Sequence, residues 1–95
     1  MPTYERLPRF DRDWEALDTS QQIRFRDAVA RFVEDLEAGV FRPGLRVKGV
    51  AGAAGVFEMT WAPDGRATFS YGPERGRGSH VIWRRIGTHA VLRQP

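Results

Sequence analysis

Two stretches in the first forty residues repeat apolar positions with the period of an α-helix. Phe10, Trp14 and Leu17 are spaced i, i+4 and i+7, which predicts a helix over residues 8–17 with one apolar face. A second stripe, with spacings of 4, 3 and 4, predicts a longer helix over residues 20–38. Its members are Phe25, Val29, Phe32 and Leu36. Both stripes are typical of core packing.

Residues that commonly begin and end helices flank these two stretches. Pro8 suits the first turn of a helix, and Thr19 with Gln22 three residues later has the form of a capping box. Gly39 lies where a glycine would end the second helix. The short junction between the two helices predicts a helical hairpin, which has to cover a broad apolar surface.

Elsewhere, apolar and polar residues alternate with the period of two that is typical of half-buried strands. The predicted strands cover residues 3–7, 45–48, 56–61 and 66–71 and a last strand that starts at His80, after a predicted loop at residues 72–79. Residues 62–65 (Ala-Pro-Asp-Gly) supply a hairpin turn. Residues 1–95 are therefore predicted to be one α+β domain, with the helical hairpin packed on one face of a small, mainly antiparallel sheet.

Successive side chains of a strand point to opposite faces of a sheet, which divides the strand residues into two sets. The set predicted to pack on the helices comprises Leu45, Val47, Phe57, Met59, Trp61, Ala67, Phe69, Tyr71, Ile82 and Ile86. The opposite set, called here the open face, comprises Arg46, Lys48, Glu58, Thr60, Arg66, Thr68, Ser70, Trp83, Arg85 and His89. Arg84 is then a misfit on the buried side, and a β-bulge would reverse part of this assignment. A basic face with hydroxyls and an indole suits a single RNA strand, with an ordinary solvated face as the alternative.

Charge is divided unevenly along the chain. Residues 1–38 carry six arginines against nine acidic residues, a net charge of −3, whereas residues 39–95 carry nine basic against three acidic residues, a net charge of +6. The cationic second half indicates an anionic partner, either a nucleic acid or an acidic protein.

The chain contains no cysteine and only two histidines. The first fact excludes disulfides and thiolate metal sites, and two histidines cannot complete a zinc site. No metal or cofactor is therefore predicted. The sequence shows neither a signal-peptide pattern nor an uncharged run long enough to cross a bilayer, so we expect a cytoplasmic protein.

Residues 81–89 join an apolar strand signal to groups suited to phosphate chemistry. Gly87 is a natural end for the strand, and His89 follows it, with Arg84 and Arg85 just before. Imidazole titrates near neutral pH and moves protons, while a guanidinium presents a fork of donors that matches phosphate oxygens. Such a set could cleave RNA, and a solvated strand end is the alternative.

The order of the predicted elements and two short motifs resemble a known family. Residues 45–49 read Leu-Arg-Val-Lys-Gly, and residues 85–89 read Arg-Ile-Gly-Thr-His. The chain resembles the RelE/ParE superfamily of toxin–antitoxin toxins, and its ending is similar to that of the YafQ branch, which comprises ribosome-dependent mRNA endonucleases. The resemblance implies a RelE-like fold with the order β-α-α-β-β-β.

The resemblance also implies roles for individual residues. It makes His89 the catalytic histidine and Arg85 the arginine that precedes it, with Lys48 and Arg66 as the basic residues of earlier strands. Together with the open-face assignment, it predicts RNA contacts for Arg46, Trp83, Thr68 and Thr88. The implied reaction is metal-independent, and in it the ribose 2′-hydroxyl attacks the neighbouring phosphate. This attack needs a proton acceptor, a proton donor for the leaving 5′-oxygen and positive charge around the pentavalent transition state.

Family membership would further imply a cognate antitoxin as partner and mRNA on the ribosome as substrate. Two other functions stay open. A protein of the same fold that inhibits DNA gyrase, as the ParE branch suggests, would not need His89. A non-catalytic basic module would bind RNA or an acidic protein.

Overall fold

Two helices cover one face of a five-stranded sheet in the computed structural model, which describes residues 2–73 and 78–95. The elements are β1 (Thr3–Arg6), α1 (Pro8–Glu15), α2 (Thr19–Ala38), β2 (Lys48–Gly49), β3 (Phe57–Thr60), β4 (Gly65–Gly72) and β5 (His80–Thr88), with 3-10 turns at Pro43–Leu45 and His89–Arg93. The strand order is β1-β5-β4-β3-β2, in which β1 and β5 are parallel and the other neighbours are antiparallel.

The predicted fold class is confirmed, with one strand more than the order β-α-α-β-β-β provides. The residue pattern itself predicted five strands, and the one predicted at residues 45–48 is reduced to the two-residue β2 at the sheet edge. The predicted loop at residues 72–79 is only partly described, since residues 74–77 lie outside the described residues. Within the described part of the chain, no helix is long and apolar enough to cross a membrane.

The start of α2 lies one residue before the predicted position. Asp18 is the N-cap, and its carboxylate accepts a hydrogen bond of 2.8 Å from the Gln21 backbone N–H. The Gln21 side chain in turn accepts one of 2.9 Å from the Asp18 backbone N–H, which completes a capping box. The predicted box at Thr19 and Gln22 is therefore wrong by one residue, because Asp is also a strong N-cap. The predicted helix end at Gly39 is confirmed by its left-handed φ of +85°.

The predicted strand at residues 45–48 is largely replaced by a 3-10 turn. Pro43 begins this turn, and Leu45 is buried in the core rather than alternating along a strand. Arg46 closes the turn in the left-handed region with φ of +49°, so its predicted place on the open face of a strand is wrong. Only Lys48 and Gly49 pair with β3.

An ion pair fixes the entry into this turn. The Asp35 carboxylate accepts hydrogen bonds from the Arg42 backbone N–H, Nε and Nη2, each of 2.8 Å. These bonds lower the pKa of Asp35 from 3.8 to about 2, because they stabilise its ionised form. The end of α2 is thereby tied to the segment that leads into β2.

The core between the helices and the sheet is built around one indole. The ring of Trp83 lies 5.3 to 6.2 Å from four phenylalanine rings, centroid to centroid, and only 5% of the residue is exposed. These rings belong to Phe10, Phe25, Phe32 and Phe69. Trp83 therefore faces the helices, and its predicted place on the open face is wrong.

A β-bulge explains this reversal. Thr68 pairs with Arg85 but Phe69 pairs with Trp83, so Arg84 is an extra residue in β5. Before the bulge, Val81 and Trp83 point into the core; after it, Ile86 does. The prediction of an inward Ile86 is confirmed, whereas Ile82 was predicted on the wrong face. The bulge also removes Arg84 from the buried side, where it was a misfit.

Candidate catalytic site

A histidine and a carboxylate meet where β5 ends beside the β3–β4 turn. The pairing of Gly65 with Thr88 brings this turn next to the residue that follows β5. As a result, His89 Nδ1 lies 2.5 Å from an Asp64 carboxylate oxygen. Both side chains are about two-thirds exposed, 67% for His89 and 63% for Asp64, so both can be reached from solvent.

Asp64 is held in its ionised form. The hydrogen bond with His89 lowers the pKa of Asp64, and the positive charge of Arg66 lowers it further. An ionised carboxylate only accepts hydrogen bonds, so His89 Nδ1 carries the hydrogen. Nε2 is then the nitrogen left for a substrate, and it makes no hydrogen bond to any residue in the described ranges. The pair can therefore accept a proton at His89 Nε2 and stabilise the resulting imidazolium.

Arg66 braces the turn that carries Asp64. Its Nη1 donates to the carbonyls of Gly65 at 3.0 Å and Pro63 at 3.3 Å. Its Nε lies 3.9 Å from a carboxylate oxygen of Glu58, a largely buried residue of β3. Arg66 thus contributes positive charge beside Asp64, with part of its hydrogen-bonding capacity already used.

The last residues of the chain fold back over β4 and β5. The Gln94 carbonyl accepts hydrogen bonds from Arg9 and Arg85, and the Pro95 carbonyl accepts them from Arg84 and Thr68. Beneath them, Thr68 is completely buried. The open face predicted from the sequence is therefore covered along these two strands by residues 89–95, called here the C-terminal segment.

Arg85 is further engaged by α1. Its Nε and Nη2 donate to the Asp13 carboxylate at 2.6 and 3.2 Å. The same carboxylate accepts the backbone N–H of Ile86 at 3.1 Å. Asp13 thus accepts a backbone N–H of β5 at a position that the shorter strand β1 does not reach. It also holds the Arg85 guanidinium towards α1.

Known structures share this architecture over nearly the whole chain. Against the Escherichia coli DinJ–YafQ toxin–antitoxin complex the TM-score is 0.66 at 16% identity, covering 96% of each chain. Against the RelB–RelE antitoxin–toxin complex of Methanococcus jannaschii it is 0.60 at 11% identity, covering 93% of each chain. This chain has the RelE/ParE toxin fold.

The sequence of this chain differs strongly from those of the proteins that share its fold. A YoeB/ParE toxin from Agrobacterium tumefaciens matches with a TM-score of 0.64 at 12% identity, covering 92% of this chain and 98% of that one. The sequence matches no protein-family model and no curated protein. At such low identity the likeness establishes the fold alone, and the functional residues are those that the geometry of this chain indicates.

Two of the four residues predicted to be catalytic, His89 and Arg66, lie beside Asp64 in the RelE/ParE fold of this chain. His89 is hydrogen-bonded to Asp64, and Arg66 is close enough to Asp64 to lower its pKa. Lys48 is exposed and aligned across the sheet with Glu58, Thr68 and Arg85. Arg85 is bound to Asp13, so, contrary to the prediction from the sequence, its guanidinium is not available for a phosphate on the open face.

Of the four residues predicted to contact RNA, two are buried and two are exposed. Trp83 lies in the core and Thr68 is completely buried, so neither can touch a nucleotide in this structure. Arg46 is exposed at the 3-10 turn. Thr88 is exposed next to His89 and accepts the Ala90 backbone N–H at 3.3 Å.

Sequence reasoning missed Asp64 because it explained that residue fully as part of a hairpin turn. Its one available signal was the register between the hairpin and the last strand, which places residue 64 next to residue 89. His80, the second histidine, is buried at the other end of β5 and hydrogen-bonds Thr3 and Glu5. Across the two described ranges, no group of three or more His, Asp or Glu side chains is placed to hold a metal ion.

Proposed function

We propose that this chain is the toxin of a toxin–antitoxin pair and that it cleaves mRNA at the ribosome without a metal ion. The observation that carries the proposal is the 2.5 Å contact between His89 Nδ1 and Asp64, with Arg66 alongside. The fold supports it, since the E. coli and M. jannaschii proteins that share it are toxins solved with their antitoxins.

The proposed reaction begins with the 2′-hydroxyl of a ribose. His89 Nε2 takes the hydroxyl proton while the 2′-oxygen attacks the adjacent phosphorus, and Asp64 stabilises the imidazolium that forms. The bond from phosphorus to the 5′-oxygen breaks, and the imidazolium returns the proton to that oxygen. The products are a 2′,3′-cyclic phosphate and a free 5′-hydroxyl. No redox partner or cofactor enters this balance.

Positive charge around the pentavalent phosphate comes from basic residues near the sheet end. Arg66 is the first candidate, because its charge already reaches Asp64. Lys48 is exposed on the far edge strand, in the row of Glu58, Thr68 and Arg85 and three residue steps along the sheet from the Gly65–Thr88 pair, so it is not assigned to this phosphate. Arg85 is assigned a supporting role in which its pair with Asp13 fixes β5, the strand that ends at Thr88 just before His89.

The antitoxin partner is proposed from charge as well as from fold. Residues 39–95 carry a net charge of +6, which would attract an acidic protein segment. An antitoxin bound there would keep mRNA away from His89.

The test compares His89→Gln and Asp64→Asn with the wild type in a translating extract, with mRNA cleavage mapped by primer extension. Loss of a general acid–base group typically costs about 10² to 10⁴ in rate, so His89→Gln should abolish visible cleavage. Asp64→Asn should slow cleavage at least about tenfold, because the neutral amide neither holds the His89 imidazole in the right tautomer nor stabilises its protonated form. Asp27→Asn, an exposed change on α2, is the matched control.

Circular dichroism establishes that each variant is folded. Undiminished mRNA cleavage by folded His89→Gln contradicts the catalytic assignment. Growth arrest that persists in His89→Gln without mRNA cleavage favours the gyrase inhibitor, whose activity does not need this histidine.

A further inference from the structure

A cleft of about 500 Å³ opens next to Asp64, between the α1–α2 junction and the β3–β4 turn. Its walls have an apolar part, formed by Ala16, Leu17, Trp61, Ala62 and Pro63. Its polar part consists of Ser20, Gln21, Arg24, Asp64 and Thr88. This volume lies within the roughly 300 to 1,000 Å³ of small-ligand pockets.

The polar part offers both donors and acceptors. Arg24 is exposed on the first turns of α2 and forms no ion pair within the described ranges. The Asp64 carboxylate and the Thr88 hydroxyl add acceptors on the opposite side. The indole Nε1 of Trp61 is buried without an acceptor among the described residues. Polar groups around an apolar floor fit a flat heterocycle with hydrogen-bonding edges better than they fit an aliphatic side chain.

We propose that this cleft binds the base of the ribonucleotide whose phosphate lies at His89, an inference that rests on the proposed function. The link is Asp64, which contacts His89 with its carboxylate and also lines the cleft. A nucleotide held at His89 therefore has the cleft within reach of its base. Arg24 and Gln21 hydrogen-bond the edge of the base, while Leu17 and Pro63 contact its faces.

The test uses the four ribonucleoside 3′-monophosphates as probes and the full chain as receptor. The chain has three tryptophans, so the indole N–H of Trp61 can be followed as one of three side-chain signals in a ¹⁵N-correlated NMR spectrum. At least one 3′-monophosphate should shift this signal in a saturable way. Inorganic phosphate should leave it in place, because it carries no base.

Two pairs of variants locate the binding. Ala16→Phe places a ring in the cleft, and Ala30→Phe places the same ring on an exposed part of α2 away from it. Ala16→Phe should weaken nucleotide binding at least about tenfold, and Ala30→Phe should leave it within about twofold. Arg24→Gln should weaken binding, whereas Arg31→Gln, also exposed on α2, should not.

The inference is overturned if no 3′-monophosphate moves the Trp61 signal, if inorganic phosphate moves it equally, or if Ala16→Phe binds as tightly as Ala30→Phe. Its failure can be told from failure of the proposed function. A chain that binds a 3′-monophosphate in the cleft but cleaves no mRNA contradicts only the proposed function. A chain that cleaves mRNA with the same base preference in wild type and Ala16→Phe contradicts only the inference.

Discussion

Replacing Trp83 with alanine tests whether its indole belongs to the core or to an RNA-binding face. An exposed indole on an RNA-binding face can be removed with little loss of stability. Trp83 is instead 5% exposed and surrounded by four phenylalanine rings. Trp83→Ala should therefore be severely destabilising.

The magnitude follows from the area that the indole buries. A buried tryptophan removes about 150 to 250 Å² from water, which at roughly 25 cal/mol per Å² amounts to about 4 to 6 kcal/mol. Measured Trp→Ala losses in cores are about 3 to 5 kcal/mol. We expect about 4 kcal/mol, a large part of the roughly 5 to 14 kcal/mol typical of a domain this size.

Urea unfolding followed by far-UV circular dichroism measures the loss. Trp83→Phe keeps an aromatic ring in place and should lose clearly less than Trp83→Ala. Tyr4→Ala is the matched control, because Tyr4 is 66% exposed on the edge strand β1 and should change stability by less than about 1 kcal/mol. If Trp83→Ala unfolds like the wild type but loses RNA binding, the indole is on the RNA face and our description of the core is refuted.

Two further changes test the ion pair and the turn. Asp35 has a folded-state pKa of about 2, below its usual 3.8, so its pair with Arg42 contributes stability above about pH 4 that is lost as the pH falls towards 2. Asp35→Asn should lower stability at pH 7 and flatten its pH dependence between pH 4 and pH 2 in urea titrations; an unchanged slope would contradict the ion pair. A Cβ on Gly65 would lie 2.6 Å from the Trp61 ring, so Gly65→Ala should cost about 1 to 3 kcal/mol and slow mRNA cleavage. Gly44→Ala, with nothing within 4 Å of its new Cβ, should have little effect on thermal unfolding; equal melting points for both variants would contradict the close packing at Gly65.

Helices and the hairpin were predictable because their signals are local. The period of apolar residues in α2 depends only on the helix itself, and the structure has Thr19–Ala38 where residues 20–38 were predicted. The hairpin turn likewise depends on four consecutive residues. Its predicted position is confirmed by the hydrogen bond from the Gly65 N–H to the Ala62 carbonyl at 2.9 Å.

The faces of β5 were not predictable in the same way. Alternation assigns side chains correctly only while every residue pairs in register. The extra residue Arg84 breaks that register, and an Arg-Arg sequence gives no sign of which arginine is extra. The misfit of Arg84 on a buried face was the one available warning, and the bulge resolves it by exchanging the faces of Ile82 and Trp83.

The contact between Asp64 and His89 depends on distant parts of the chain. It requires β4 and β5 to pair with Gly65 opposite Thr88, and nothing local to either residue encodes that register. The return of the C-terminal segment over β4 and β5 is similarly non-local, since it depends on carbonyls of residues 94 and 95 meeting arginines at positions 9, 84 and 85.

The C-terminal segment changes where RNA would meet this protein. For a phosphate to lie across β4 and β5, it would have to displace the carbonyls of Gln94 and Pro95 from Arg85 and Arg84. Hydrogen bonds to charged groups are each worth about 1.5 to 3 kcal/mol, so the displacement opposes binding there. At the sheet end no such displacement is needed, because His89 and Asp64 are already exposed. In the proposed reaction RNA therefore approaches the sheet end, where the cleft also opens, rather than the middle of the sheet face.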